Sequence, residues 1–325
     1  MHAVDQVLEG LKLRSSVFSR LELDKGWGFA KDHLEGAPFH MVLEGEAWVG
    51  PSQPDKLTHL AEGDMIIVTR GQSHLLLSNP SAEAVPWIRI LSRFDIENWR
   101  PGMRIKPSVL RIGREEAPCA KLISGIFEFT DRRRNPLMEA LPDYLILCSN
   151  AGASSEDERT WPIVRLIDRE IQSAAPGAGM MAARFADYLF VQAVREYLVD
   201  HESNGAGWLR GLRDPTIGKA LALIHSEAGT DWTVERLAHA AGASRSSFAR
   251  RFKDCVGTGP IEYLTDWRMF EAAGMLADDS HSLKEIAKLA GYNSTAAFGK
   301  AFKRWSGETP ALHRSASLGK KRPKG

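Results

Sequence analysis

Two short stretches near the C-terminus place cations among small residues at helical spacing. At about 100° per residue, Ser246, Ala249, Arg250 and Lys253 share one face, and Ala296, Gly299, Lys300 and Lys303 share another. Small side chains admit base edges, while cations reach phosphate oxygens or guanine, so such faces suit close approach to a DNA major groove. Phe248 with Phe252, and Phe298 with Phe302, lie on the opposite faces and would seat each helix on a core.

Both stretches belong to an internal repeat. Thr233–Gly242 matches Ser282–Gly291 at an offset of 49. Each copy opens on a Thr or Ser N-cap with Glu soon after, and each ends at a glycine that allows the left-handed turn closing a helix. Ala238 and Ala287 sit where a following helix must cross closely. One inserted residue then makes the offset 50, aligning Ser244 with Ser294 as N-caps of the second helices. Helix, tight turn and helix, twice over, describe two helix-turn-helix motifs; a plain helical repeat with solvated basic faces is the alternative. Between the copies, Gly259-Pro260 opens a linker helix reaching about Ala277, with Leu264, Trp267, Ala272 and Met275 on one face. Such a rod, roughly 25 Å long, could hold two recognition helices near the ~34 Å separating successive major-groove faces.

Charge is divided in the same way. From Arg213 onward there are 18 Lys and Arg against 12 Asp and Glu; before it, 24 against 29. A basic module joined to an acidic one suits a polyanion binder with a second task, although two ordinary domains can differ this much by chance. Cys119, Cys148 and Cys255 are too few and too irregular for a disulfide framework or a Cys-rich zinc site. Glu115 and Glu116 near Cys119 would oppose a thiolate, so spectator thiols are expected. No apolar run approaches the ~18 residues of a membrane span, and a cytoplasmic location without membrane association is expected.

The N-terminal half reads differently. From about Ser16 to Ile126, short runs such as Phe39–Val49, Met65–Thr69 and Trp87–Leu91 alternate with turn residues, which suggests a small β-barrel or sandwich. Two amphipathic helices follow, marked by Ile163, Leu166, Ile167 and Ile171, then by Met181, Phe185, Leu189 and Ala193. They could pack on the barrel, dimerise, or both. The expected organisation is multi-domain α+β. Residues 1–202 form the sensor and dimerisation domain (barrel about 5–150, helices about 161–200), and 203–213 a linker. Residues 214–315 form an all-α DNA-binding domain, and 316–325 a basic disordered tail.

Pro260–Arg268, Ala272, Leu276, Ile286-Ala287, Gly291–Ser294, Phe298, Phe302–Arg304, Gly307, Thr309-Pro310 and His313-Arg314 together resemble the AraC/XylS regulator signature. The resemblance covers about Asp214–Arg314. It implies base contacts from Ser246, Ala249 and Arg250 in the first recognition helix and from Thr295, Ala296 and Lys300 in the second. Arg245, Lys253 and Lys303 complete the candidate interface. Small residues in both helices imply direct readout by few side chains, supplemented by DNA shape. Two positions depart from the family: Ser306 stands where an aromatic or apolar residue is usual, with Trp305 available to fill that space, and His313 replaces Tyr.

Gly63-x5-Thr69-x-Gly71-x2-His74 resembles the second cupin motif, and Gly36, His40, Glu44 and Gly50 lie where the first would fall. Phe39–Gly45 and Glu139–Pro142 are similar to cupin-type effector domains that precede AraC modules. Cupin metal sites use two His and a Glu from the first motif; only one His fits here. His40, Glu44 and His74 form the candidate effector pocket. They could instead form a three-ligand N/O metal site, or be strand residues with ordinary hydrogen bonds; no cofactor is expected.

Together these resemblances imply a transcription regulator of the activating kind and not an enzyme. Its partners would be double-stranded promoter DNA, RNA polymerase, a small-molecule effector and a second copy of itself. A metal-dependent cupin enzyme fused to a DNA module is the alternative, and a non-specific architectural protein is a third reading.

Overall fold

A computed structural model describes residues 3–92, 107–113, 118–129, 135–148, 160–173, 175–200, 207–278 and 281–321. In chain order, helix α1 (Ala3–Gly10) precedes strands β1 (Arg14–Leu23), β2 (Gly28–Lys31), β3 (Ala37–Glu44) and β4 (Ala47–Gly50). Strands β5 (Thr58–Leu60), β6 (Met65–Val68), β7 (His74–Leu77) and β8 (Val85–Pro86) come next, then helix α2 (Trp87–Leu91). Strands β9 (Ser108–Ile112) and β10 (Ala120–Glu128), helix α3 (Pro136–Ala140) and strand β11 (Tyr144–Leu147) complete the β-rich part. The rest is helical: α4 (Thr160–Ser173), α5 (Ala178–Asp200), α6 (Trp208–Arg213), α7 (Pro215–Ser226), α8 (Val234–Ala240) and α9 (Arg245–Val256). Helices α10 (Pro260–Asp278), α11 (Leu283–Leu289), α12 (Thr295–Ser306) and α13 (Pro310–Lys321) follow.

Two compact units result. One comprises Arg14–Glu128 and Pro142–Val199. Its strands form two sheets, ordered β11-β6-β3-β10-β1-β9 and β5-β4-β7-β2-β8. The expected barrel is therefore built as two facing sheets. Leu21, Val42 and Leu122 from the first meet Phe29, Val49 and Leu76 from the second in one core. Buried Arg20 on β1 donates through Nε to Asp168 on α4 at 2.6 Å, and Phe190 on α5 packs on Phe127.

Three local expectations change here. Trp87–Leu91 is a helix, not a strand: Pro86 stands at its N-cap, lacks an amide to extend a ladder, and only Ile90 is buried. The buried face of α4 runs through Val164, Ile167 and Ile171. That of α5 runs through Ala182, Ala186, Leu189, Phe190 and Ala193, leaving Met181 exposed. Its alanines allow close packing while contributing little to an apolar pattern.

The other unit comprises Met1–Leu13, Phe129–Leu141 and Asp200–Gly325, and so draws on residues from both sides of position 202. Helices α1 and α3 pack within the helical unit, where Val7, Leu11 and Leu137 are fully buried. Buried Asn135 caps α3, accepting from the amides of Leu137 and Met138 at 3.0 and 3.1 Å, and donates through Nδ2 to the Val7 carbonyl. Lys12 donates to the Gly274 carbonyl at 2.9 Å and pairs with Asp278. Local periodicity cannot register contacts between residues so far apart in the chain.

The expected linker 203–213 contains α6, whose Trp208, Leu209 and Gly211 are buried. The expected disordered tail begins as helix, since α13 continues to Lys321; residues 322–325 lie outside the described residues.

Candidate nucleic-acid interface and sensor interior

Each helix-turn-helix starts from a capped helix. Thr233 Oγ1 accepts from the Arg236 amide at 3.2 Å to start α8. Ser282 and Glu285 form a reciprocal capping box at α11. The turns are alike: Gly242 (φ +74°) and Gly291 (φ +76°) adopt the left-handed conformation. The carbonyls of Ala238 and Ala287 accept from Ala243 and Tyr292 at 2.9 and 2.8 Å. Ser294 caps α12 through the Ala297 amide, whereas the Ser244 hydroxyl makes no capping bond at α9, contrary to its expected role.

The recognition helices bury equivalent rings and expose cations at equivalent positions. Phe248, Phe252, Phe298 and Phe302 are fully buried. Ser246, Arg250 and Lys253 are exposed on α9, with Ala249 half-buried; Thr295, Ala296, Lys300 and Lys303 are exposed on α12, with Gly299 half-buried. Among the described residues Arg250, Lys253, Lys300 and Lys303 form no ion pair. Arg245 differs, being paired with Glu235 of α8. Both family departures are accommodated. Trp305 packs against Phe302, Ser306 bonds the Phe302 and Glu308 carbonyls, and His313 meets Phe302 edge-on while bonding Glu308.

Helix α10 is buried on most sides, not along the single face expected. Arg268 donates from α10 to the carbonyls of Ala228 and Thr230 at 2.6 and 2.8 Å, tying the first motif to the linker helix. His225 of α7 bonds the Tyr263 hydroxyl at 2.8 Å and stacks on Trp267.

In the β-rich unit the structure brings His40 and His74 together and leaves Glu44 out. His40 on β3 and His74 on β7 come from opposite sheets, and their Nε2 atoms lie 2.9 Å apart. The other ring nitrogens settle the tautomers. His74 Nδ1 faces the Gln72 carbonyl at 3.0 Å and must donate; its Nε2 therefore accepts from His40, whose Nδ1 in turn accepts from Ser124 Oγ at 2.8 Å. Both rings are neutral in this chain. Burial, then the charge of Lys31, holds His40 well below the usual histidine range; burial takes His74 down to about 4. Glu44 is half exposed and pairs with Lys121 at 2.6 Å. Two imidazoles spent on each other, with their carboxylate elsewhere, do not fit a three-ligand metal site. No such group of ligands occurs among the described residues.

Lys31 was not among the expected residues. It pairs with His74 across β2 and β7, is buried, and lies over the Trp87 ring at 4.0 Å. Burial pushes its ammonium down to about 7. The signal was the strand alternation Trp27, Phe29, Lys31, which places this lysine on the core face. Trp27 stacks on Phe29, which meets Trp87 edge-on. Trp27 also lines a cleft of about 650 Å³ with Glu46, His59, Ser78, Asn79 and Cys119. Cys119 and Cys148 are exposed and Cys255 is buried.

Comparison with known proteins accords with this architecture. A family model described as Cupin matches residues 2–199, and one described as Helix-turn-helix domain matches residues 237–316. An AraC-like transcription regulator of Streptomyces antibioticus is 32% identical over 97% of this chain and 98% of its own length. The HTH-type transcriptional regulator AlkR of Acinetobacter baylyi is 27% identical over 98% of this chain and all of its own. Among solved structures, the DNA-binding domain of AdpA in complex with a target DNA is 31% identical, covering 34% of this chain and 99% of that one, with a TM-score of 0.32. With its N-terminal half matched to one family and its two capped, glycine-turned motifs to the other, the chain belongs to the AraC-like transcription regulators, DNA-binding proteins with a cupin domain ahead of the helix-turn-helix domain.

Proposed function

We propose that the protein recognises a two-part promoter site, with α9 and α12 in successive major grooves and Arg250 and Lys300 as the principal base-reading side chains. The observation that carries this is the matched pair of exposed cations at equivalent positions of the two recognition helices, neither spent on a neighbouring carboxylate among the described residues. Ser246, Ala249, Thr295 and Ala296 keep the surfaces low enough for close approach. Lys253 and Lys303 reach phosphates, and Arg245, through Glu235, supports the first turn.

The β-rich unit is the sensor in this reading. A cleft of about 650 Å³ is within the usual range for a small-molecule site, and the Trp27–Phe29–Trp87 ring series leads from it to Lys31 and the paired histidines. Exposed Met180, Met181, Tyr188 and Val199 on α5 suit a homodimer contact. Such a dimer would activate transcription in the cytoplasm by presenting RNA polymerase with a surface set by effector occupancy, without catalysis of its own.

The test is a gel-shift titration on a duplex selected from a random library by the full-length protein. Arg250→Ala and Lys300→Ala are each expected to weaken binding by about 1–3 kcal/mol, roughly 5- to 150-fold, and to relax base preference at one half-site each. Unchanged affinity in both would overturn the assignment of the two reading helices.

A further inference from the structure

The short helix ahead of the repeat adds an arginine cleft to the first recognition helix. Helix α6 is anchored by Trp208 and Leu209, and Gly211 lies so close to α9 that an added Cβ would stand 3.0 Å from Val256. Its other side is exposed and carries Arg210 and Arg213. Across from them α9 contributes Arg250, Arg251 and Asp254, and with Asp214 these line a cleft of about 560 Å³. Four guanidinium groups thus face two carboxylates. One carboxylate is already occupied: Asp214 accepts from the amides of Thr216 and Ile217 at 3.0 Å each and pairs with Arg251. The cleft is left with a net positive charge.

Its position on α9 gives that charge a partner. The base-reading face passes through Ser246, Ala249, Arg250 and Lys253, while the cleft face passes through Ser247, Arg250, Arg251 and Asp254. The two are about 90–100° apart around the helix axis and share Arg250. When the first face enters a major groove, the second is turned towards the groove wall, which is the phosphate backbone. Guanidinium forks match phosphate oxygens in pairs of parallel hydrogen bonds.

We propose that α6 and the flank of α9 form a phosphate clamp, with Arg210 and Arg213 gripping the DNA backbone beside the first half-site. The second motif cannot reproduce it. At the equivalent position of α12, Arg251 is replaced by buried Ala301, and among the described residues no short helix of this kind precedes its motif. The proposal rests on the DNA-binding reading above and adds an asymmetric extension of the footprint on the α6 side.

The experiment compares the full-length protein with Arg210→Ala/Arg213→Ala and Arg210→Lys/Arg213→Lys on the selected duplex, by fluorescence anisotropy between 50 and 200 mM salt. The double alanine variant is expected to bind about 10-fold or more weakly, to lower the log–log salt slope by roughly 0.9 per lost phosphate contact, and to keep its base preference. The lysine variant should recover much of the slope. Trimming the duplex beyond the first half-site should weaken the wild-type protein but not the alanine variant. An unchanged slope, alongside weakened Arg250→Ala and Lys300→Ala variants, would overturn the clamp and leave the recognition helices standing. A changed base preference with an unchanged slope would also overturn it. If none of the variants binds differently, the DNA-binding assignment falls as well.

Discussion

The two helix-turn-helix motifs share a turn but not a surface. In the first, Arg250, Arg251 and Lys253 crowd the exposed side of α9, beside the arginines of α6. In the second, Ala296, Ala297 and Gly299 leave α12 a low surface with Lys300 and Lys303 at its edge. Duplication therefore preserved what makes the motif fold and let its outer face diverge. The charged copy is suited to grip, and the smooth copy to approach closely and respond to groove shape.

Where the copies agree, damage should be equal and large. Phe252→Ala and Phe302→Ala each empty a fully buried ring from equivalent positions, and each should cost about 3–5 kcal/mol by chemical denaturation. A clear inequality would mean that one copy can collapse around the void and that the cores are not equivalent.

The β-rich unit offers a contrast, because its polar centre depends on protonation state. Unfolded histidine titrates near 6.5, whereas His74 in the folded chain titrates at about 4 and His40 is lowered too. Between those values the unfolded state binds more protons, so stability is full above about 6.5 and is lost as pH falls towards 4. Protonating His74 would also set its Nε2–H against the Nε2–H of His40 across the sheets. His74 alone corresponds to about 3 kcal/mol at complete protonation. Denaturant midpoints at pH 7 and pH 4.5 should therefore converge in a His40→Asn/His74→Asn variant. An equal acid loss in that variant would place its origin elsewhere.

The smallest effect separates the caps. Ser282→Ala removes half of a capping box and should cost roughly 1 kcal/mol, while Ser244→Ala, whose hydroxyl caps nothing, should change thermal stability little. Equal losses would restore the symmetry that the hydrogen bonds deny.

The repeat was legible in the chain because caps, alanines and glycines recur at a constant offset, and each has a local physical cause. Helix α10 was legible in extent but not in burial, since Met269, Phe270 and Ala273 are covered by neighbours on several sides. Helix α6 escaped notice because Trp-Leu-Arg-Gly-Leu-Arg is short and holds a glycine at its centre, and isolated turns of that length have no stability of their own. In the β-rich unit, motif spacing singles out His40 and His74, and the two facing strands bring their rings together. Spacing does not reveal that an ion pair with Lys121 holds Glu44 at the surface, and a core lysine such as Lys31 runs against composition. What the sequence concealed was mostly a matter of partners brought from afar.

The first and third segments of the helical unit, residues 1–13 and 200–325, lie at opposite ends of the chain, and 129–141 falls in sequence between β10 and β11. Such an arrangement defeats scissors placed between the cupin and helix-turn-helix segments. A fragment cloned from residue 207 onward would leave behind Val7, Leu11 and Leu137, baring the apolar ground they cover. Excising the DNA reader intact would require grafting these pieces back, or replacing the greasy residues they shield with polar ones.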